Sequence, residues 1–347
     1  MSLLASGASA GIRDVMTQLV TVLGWPSALR HAGVAAAYTA CVWAVLEGLL
    51  LPARFFKGFV LERRYALSPI GAVRWASTHL RTVVLSGGVV VSAGVVVSLS
   101  LAFWPAGWWV VSGAAFTVAT IFLTNLAPVC IIPLLYSVRP LARMGLIERL
   151  AGLAERAGVS VPRVDECAVG ETTTRVRASL VGLGPTRRIL LTDTLLADYS
   201  DDEIEVVLAH ELGHHVHRDV WQLIAFELSV ALTALLVGGW TVVRLGGSFG
   251  VAGVGDLAGL PLLVLGAGGV VVVATPLGHA LSRHHERRAD LFAIRVTRNP
   301  AAFVSSLRRL GVQNLVEERP SRLVELLCHA HPSLHSRLAV ARQWSSL

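Results

Sequence analysis

Five stretches of this chain are apolar over lengths that match the hydrocarbon core of a bilayer. They are residues 32–51, 82–104, 108–136, 221–243 and 257–281. A spanning helix needs about 20 such residues, because only a helix or a closed barrel satisfies its own backbone in lipid. The composition agrees: 54% of the 347 residues are hydrophobic and 15% are charged. Soluble domains carry about 25% charged residues. The chain is therefore read as a predominantly α, multi-pass helical membrane protein. Asn125, Pro128 and Pro133 interrupt the third stretch, which is expected to kink or end before Tyr136. Residues 1–30 resemble neither a cleaved signal nor a full span, and an interfacial position is expected for them.

Charge sets the expected orientation. Residues 52–81 hold Arg54, Lys57, Arg63, Arg64, Arg74 and Arg81 against one acid, Glu62. The segment from Arg283 to Arg342 is also rich in arginine. Positive loops stay on the cytoplasmic side. With five spans, the 52–81 loop, the 137–220 segment and the 282–347 tail all fall on that side. Trp104, Trp108 and Trp109 mark the opposite interface. The net charge of +7 is then a matter of topology and anionic lipid. Nucleic acid is not an expected partner, because no soluble face interleaves basic and aromatic residues. Cys41, Cys130, Cys167 and Cys328 share no motif spacing and are expected as free thiols. Two regions follow. Residues 1–136 form an N-terminal membrane region with the basic loop. Residues 137–347 form a second domain interrupted by membrane helices at about 221–243 and 257–281.

The second domain opens with a helical pattern at 141–157, closed by Gly158, and short strands at 163–169, 174–183 and 188–192. A helix follows, opened by Asp201, Asp202 and Glu203. It carries His210-Glu211-Leu212-Gly213-His214. Histidines at i and i+4 share one helical face and can grip one ion, with the glutamate beside the water that the ion holds. This is the arrangement of zinc metalloproteases, whose catalytic metal keeps one position open. His215 and His217 lie off that face. The alternative is a solvated helix with surface histidines.

A third ligand is needed. Glu286 and Asp290 in Ser282-Arg283-His284-His285-Glu286-Arg287-Arg288-Ala289-Asp290 again share a helical face. Glu286 would complete a His-His-Glu site, and Asp290 could fix the tautomer of a ligand imidazole. His284, His285 and His331 remain alternatives for the third position. Taken alone, the segment also fits an exposed helix with acid–arginine pairs.

The order of these motifs resembles the M48 metallopeptidases, and within them the CAAX prenyl protease (Ste24-type) branch. The similarity runs through Glu62-Arg63-Arg64-Tyr65-Ala66-Leu67-Ser68, Arg188–Leu196, Val207–His214, Ser282–Asp290 and His331-Pro332-Ser333-Leu334 with Arg337. The resemblance implies a gluzincin-type zinc protease domain carrying a small β-sheet. It implies one zinc per chain on His210, His214 and Glu286, with Glu211 as general base. It implies His331 and Arg337 as groups that stabilise the transition state or order the site, and Asp290 behind the ligands. The family carries Asn-Ala on its substrate-binding edge strand, where this chain has Arg177-Ala178. Backbone pairing with substrate survives that change. The arginine adds a cation and no acceptor; it either shifts preference toward an acidic group near the cut or points to solvent or lipid headgroups without a specific role. The spans are also fewer than the seven of the prenyl proteases.

The sequence therefore predicts a membrane-embedded zinc endopeptidase that hydrolyses peptide bonds of peptide or membrane-protein substrates at the cytoplasmic membrane face. The alternatives are an HtpX-like quality-control protease for misfolded membrane proteins, a zinc-domain signalling receptor, and a catalytically dead scaffold. The receptor needs an outer sensor domain that no outside loop is long enough to supply. An intact Glu211 speaks against the scaffold.

Overall fold

The structure is a computed structural model. It describes residues 7–65, 67–68, 70–126, 136–161, 163–169, 178–181, 187–313 and 316–344. The chain divides into two compact units. One comprises Met1–Val60, Ala72–Ala119 and Phe226–Ala274, and the other Leu61–Gly71, Thr120–Ala225 and Thr275–Leu347.

The first unit is built from long apolar helices. α1 is Ala8–Val22 and α2 Ser27–Phe55. α3 is Ala72–Phe103 and α4 Trp108–Leu126. Among the described residues, four helical segments are long and apolar enough to cross a membrane: Ser27–Arg64, Ala72–Phe103, Asp219–Phe249 and Leu257–Thr297, with mean hydropathies of 1.8, 2.2, 1.9 and 2.3 over their most apolar stretches. The 19 residues of α4 approach the length needed for a fifth span. Residues 127–135 of the expected third span, including Pro128, Cys130 and Pro133, lie outside the described residues.

The helices run well past the apolar stretches. Much of the expected 52–81 loop is helical: α2 continues to Phe55, a π-helical stretch covers Phe56–Leu61, and α3 starts at Ala72. Hydropathy marks the slab of lipid, whereas backbone hydrogen bonds extend through arginine and lysine, which are good helix formers. α1 is tied in by polar contacts. Arg13 donates to both carboxylate oxygens of Asp256 at 2.8 and 2.9 Å, and the Ser9 hydroxyl donates to the carbonyl of Ala258 at 2.7 Å. Small residues let helices pack closely without a hydrophobic drive. A Cβ on Gly238 would lie 2.6 Å from the carbonyl oxygen of Leu263.

The second unit has a mixed sheet and a helical core. Its strands are β1 Ser137–Pro140, β2 Val164–Ala168, β3 Ala178–Val181 and β4 Arg188–Thr192. The order is β1-β2-β4-β3, with β2 and β4 parallel and the other pairs antiparallel. β3 therefore forms an edge, in the register Ala178↔Leu191 to Val181↔Arg188. Residues 174–177 and 182–183 of the expected 174–183 strand lie outside the described residues, Arg177 among them.

α5 is Met144–Arg156, α6 Asp193–Asp198 and α7 Asp201–Val216. α8 is Asp219–Leu245 and α9 Leu260–Thr297. α10 is Pro300–Gln313, α11 Arg322–Cys328 and α12 Leu334–Trp344. Leu150 and Leu153 of α5, Ile189 and Leu191 of β4, Ile204, Leu208 and Leu212 of α7, Ala293 of α9 and Phe303 of α10 form one buried cluster. This core fixes the azimuth of α7, so its other face carries the motif. Cys41, Cys167 and Cys328 are free thiols.

Candidate metal centre

α7 begins with a capping box. The Ser200 hydroxyl accepts from the amide of Glu203, and the Glu203 carboxylate accepts from the amide of Ser200. These two bonds satisfy orphan donors of the first turn. Glu205 is held by Arg149 at 2.6 Å and Arg156 at 2.8 Å, which ties α7 to α5. Further along, α7 meets α9 almost backbone to backbone. A Cβ on Gly213 would lie 3.0 Å from the Cα of Ala289. No side chain is tolerated there without displacement, and this close approach brings α7 against the segment that carries Glu286.

The three expected ligands converge. His210 Nε2 lies 3.2 Å from His214 Nε2. Glu286 Oε2 is 3.4 Å from His210 Nε2, and Oε1 is 3.4 Å from His214 Nε2. A tetrahedral zinc with bonds of about 2.0–2.1 Å sets its ligand atoms roughly 3.3 Å apart. The donor set, two imidazoles and a carboxylate, also matches zinc chemistry. Glu286 Oε2 is buried and makes no hydrogen bond. A buried oxygen of that kind asks for a cation or a donor. Among the described residues, these three are the group of His, Cys, Asp and Glu that could hold an ion. His285 is not part of it: its Nε2 lies 3.2 Å from the amide oxygen of Gln222.

Both imidazoles are oriented from behind. His210 Nδ1 lies 2.9 Å from Asp290 Oδ1, as the i,i+4 spacing of Glu286 and Asp290 predicts. Asp290 is fully buried and accepts two hydrogen bonds from Arg337, Nε at 2.9 Å and Nη2 at 2.6 Å. His214 Nδ1 lies 2.9 Å from Asp219 Oδ2, a contact the sequence reading missed. On one unbroken helix, a residue five positions after His214 would lie about 140° around the axis. The chain avoids this by breaking α7. Arg218 adopts a left-handed φ of 57°, and α8 restarts at Asp219 with its carboxylate turned back toward the histidine. Arg288 of α9 pairs with the same carboxylate. The signal available in the sequence was an acid directly after a run of polar residues between two helical patterns.

The electrostatics favour a cation. Burial opposes a charge on His210, but Asp290 and Glu286 outweigh it and push the imidazole up to about 10. His214 is also raised, by Glu286 and Asp219 against the cost of burial. The potential that holds a proton there attracts a metal ion. Burial pushes the Glu211 carboxyl up, which makes it a stronger base than an ordinary carboxylate.

These groups open into a cavity of about 200 Å³. His210, Glu211, Glu286, His331 and Arg337 line its polar side, and Ala178, Val206, Val207, Phe303 and Leu307 line its apolar side. His331 is exposed, with Nδ1 3.0 Å from Glu286 Oε1. Ala178 of the edge strand reaches the cavity.

Comparison with known proteins meets the same features. The model of peptidase family M48 matches residues 141–345. The chain is 30% identical to the uncharacterized metalloprotease YhfN of Bacillus subtilis, over 82% of this chain and 68% of that protein. It is 26% identical to CAAX prenyl protease 1 of Saccharomyces cerevisiae, over 57% of this chain and 45% of the yeast protein. It is 28% identical to Protease HtpX of Legionella pneumophila, over 52% and 63%. Its fold matches that of S. mikatae Ste24p with a TM-score of 0.83 at 20% identity, covering 95% of this chain and 79% of that one. With the family model spanning β2 to β4, the motif helix and the Glu286 segment, the chain is a membrane metalloprotease that belongs to peptidase family M48.

Proposed function

We propose that the protein is a zinc endopeptidase that cleaves peptide or membrane-protein substrates at the cytoplasmic face of the membrane. The observation that carries this reading is the convergence of His210, His214 and Glu286, with Glu211 beside His210 and Glu286 in the adjoining cavity. Zinc held by this triad would lower the pKa of its water toward ~7 and polarise a carbonyl oxygen. Glu211 takes the proton of the attacking water and passes it to the departing amine nitrogen. Asp290 and Asp219 hold the two imidazoles through Nδ1, so that each would present Nε2 to a bound ion. Arg337 keeps Asp290 ionised and in place. His331, exposed at the cavity rim, donates to the oxygen that gains charge in the transition state. The edge β3 supplies backbone partners for an extended substrate, and the apolar wall receives a side chain next to the cut. The cytoplasmic placement rests on the basic residues between α2 and α3.

The test is purified wild type against Glu211→Gln, with casein and a prenylated peptide as substrates and zinc content measured on both. Glu211→Gln should retain zinc and lose at least ~10²-fold in turnover. The acid limb of the wild-type profile should lie above the ordinary carboxylate value, because Glu211 must be ionised and burial raises it. Unchanged turnover on both substrates would remove Glu211 as the base.

A further inference from the structure

α11 is a seven-residue helix, Arg-Leu-Val-Glu-Leu-Leu-Cys, that buries none of its residues. Leu323 is 66% exposed, Leu326 50% and Leu327 43%. Such a cluster of uncovered leucines marks an interaction surface. The one side chain that turns inward is polar: Glu325 Oε1 accepts from the amide of Ser333 at 2.9 Å. Among the described residues, the three leucines are thus left largely uncovered.

The helix is fixed to a membrane-crossing segment. Arg283 of α9 is buried, and its Nη1 donates to the carbonyls of Glu325 at 3.0 Å and His329 at 2.7 Å. His279 Nδ1 lies 3.0 Å from the carbonyl of Leu327. These contacts satisfy the carbonyls that a helix C-terminus leaves orphaned. They also set α11 beside the part of α9 around His279, where Leu277 is exposed as well. Arg319 and Arg322 flank the leucines and are exposed, as suits a helix lying among headgroups.

We propose that α11 lies in the lipid interface, with Leu323, Leu326 and Leu327 seated at the headgroup–acyl boundary as an outward extension of the lipid-facing surface of α9. The inference rests on the reading that α9 crosses the membrane. Its consequence lies three residues beyond Cys328. His331, 3.0 Å from Glu286, is carried by the segment that the bilayer holds. The membrane surface then helps to position a group at the candidate centre.

The experiment uses the full chain in lipid nanodiscs with its four cysteines replaced by serine. Single cysteines at Leu326→Cys, Val273→Cys in α9 and Met144→Cys in α5 carry an environment-sensitive fluorophore. Quenching by nitroxide lipids is compared with quenching by iodide in water. The labels at Leu326→Cys and Val273→Cys should be quenched several-fold more by the lipids than by iodide, and the label at Met144→Cys should show the reverse. If Val273→Cys responds to lipid but Leu326→Cys behaves like Met144→Cys, the α11 inference is wrong and the spanning role of α9 stands. If Val273→Cys responds to iodide, the spanning role fails first. If protection at Leu326→Cys appears only when two copies occupy each disc, a second copy covers the helix and the inference is overturned.

Discussion

Asp219→Ala separates the orientation of a candidate metal ligand from the stability of the fold. The substitution removes the carboxylate 2.9 Å from His214 Nδ1. Without it, the imidazole loses the partner that fixes its tautomer and ring angle. Loss of such a partner weakens metal affinity about 10–100-fold, or roughly 1.4–2.7 kcal/mol. The cost to folding should be small. The arginine left behind, Arg288, has a side chain 30% exposed and can turn to water. Asp290→Ala should differ in kind. It removes the partner of His210 and strands Arg337, whose side chain is only 17% exposed and which donates two hydrogen bonds to Asp290. Breaking a largely buried pair from one side costs about 3–5 kcal/mol.

Two measurements separate the cases: zinc titration of the apo protein against a chromophoric chelator at pH 7, and thermal unfolding in the same detergent. Asp219→Ala should bind zinc more weakly while its Tm stays near wild type. Asp219→Asn, which keeps an acceptor oxygen but no charge, should fall between. Asp290→Ala should lose both affinity and Tm. Wild-type zinc affinity in a folded Asp219→Ala would refute the role of Asp219, and an undiminished Tm in Asp290→Ala would refute the burial argument.

Three further outcomes follow from local geometry. Glu203 is partly desolvated, but hydrogen bonds from Ser305 and Ser200 outweigh this and lower its carboxyl below the usual value. A depressed carboxylate stabilises the fold above its unfolded pKa, near 4.5, and loses that effect as pH falls through the folded value. Glu203→Gln should therefore lower Tm at pH 7, and the gap to wild type should close in acid. Gly213→Ala should reduce zinc affinity, because its Cβ would press on the Cα of Ala289 and part α7 from the Glu286 segment; unchanged affinity would show that the contact is slack. Cysteines placed at Lys57 and Arg298 in a cysteine-free background should resist an impermeant reagent added outside intact cells, and labelling of either would overturn the cytoplasmic placement.

The site was legible in the sequence wherever helical periodicity carried it. His210 with His214, and Glu286 with Asp290, are i,i+4 pairs, and a helix leaves them one arrangement. β4 was legible as a short β-branched and leucine run, Arg188–Thr192, whose Thr192 caps the next helix. What periodicity could not show was set by breaks and by close approach. The 52–81 segment reads as a loop by charge, yet hydrogen bonding carries its helices through the arginines. Asp219 was missed because its reach depends on a left-handed Arg218, a conformation that arginine seldom adopts. Gly213, the glycine inside the motif, is the contact that brings two helices together, which periodicity does not show.

A left-handed arginine is strained, and such strain persists only where the surroundings enforce it. Here the enforcement is visible on both sides of the break. α7 is held by its capping box and by Arg149 and Arg156, and Asp219 is held by His214 and Arg288. The residue that orients one candidate ligand is also the first residue of an apolar helix long enough to cross a membrane, while Glu286 and Asp290 ride on another. Shifting either helix along its axis by even one residue, about 1.5 Å, would take these carboxylates out of hydrogen-bond reach of the imidazoles. The geometry of the centre is thus tied to the seating of two membrane helices. Metal affinity should accordingly depend on bilayer thickness in the wild type. That dependence should weaken in Asp219→Ala, where one of the two ties is cut.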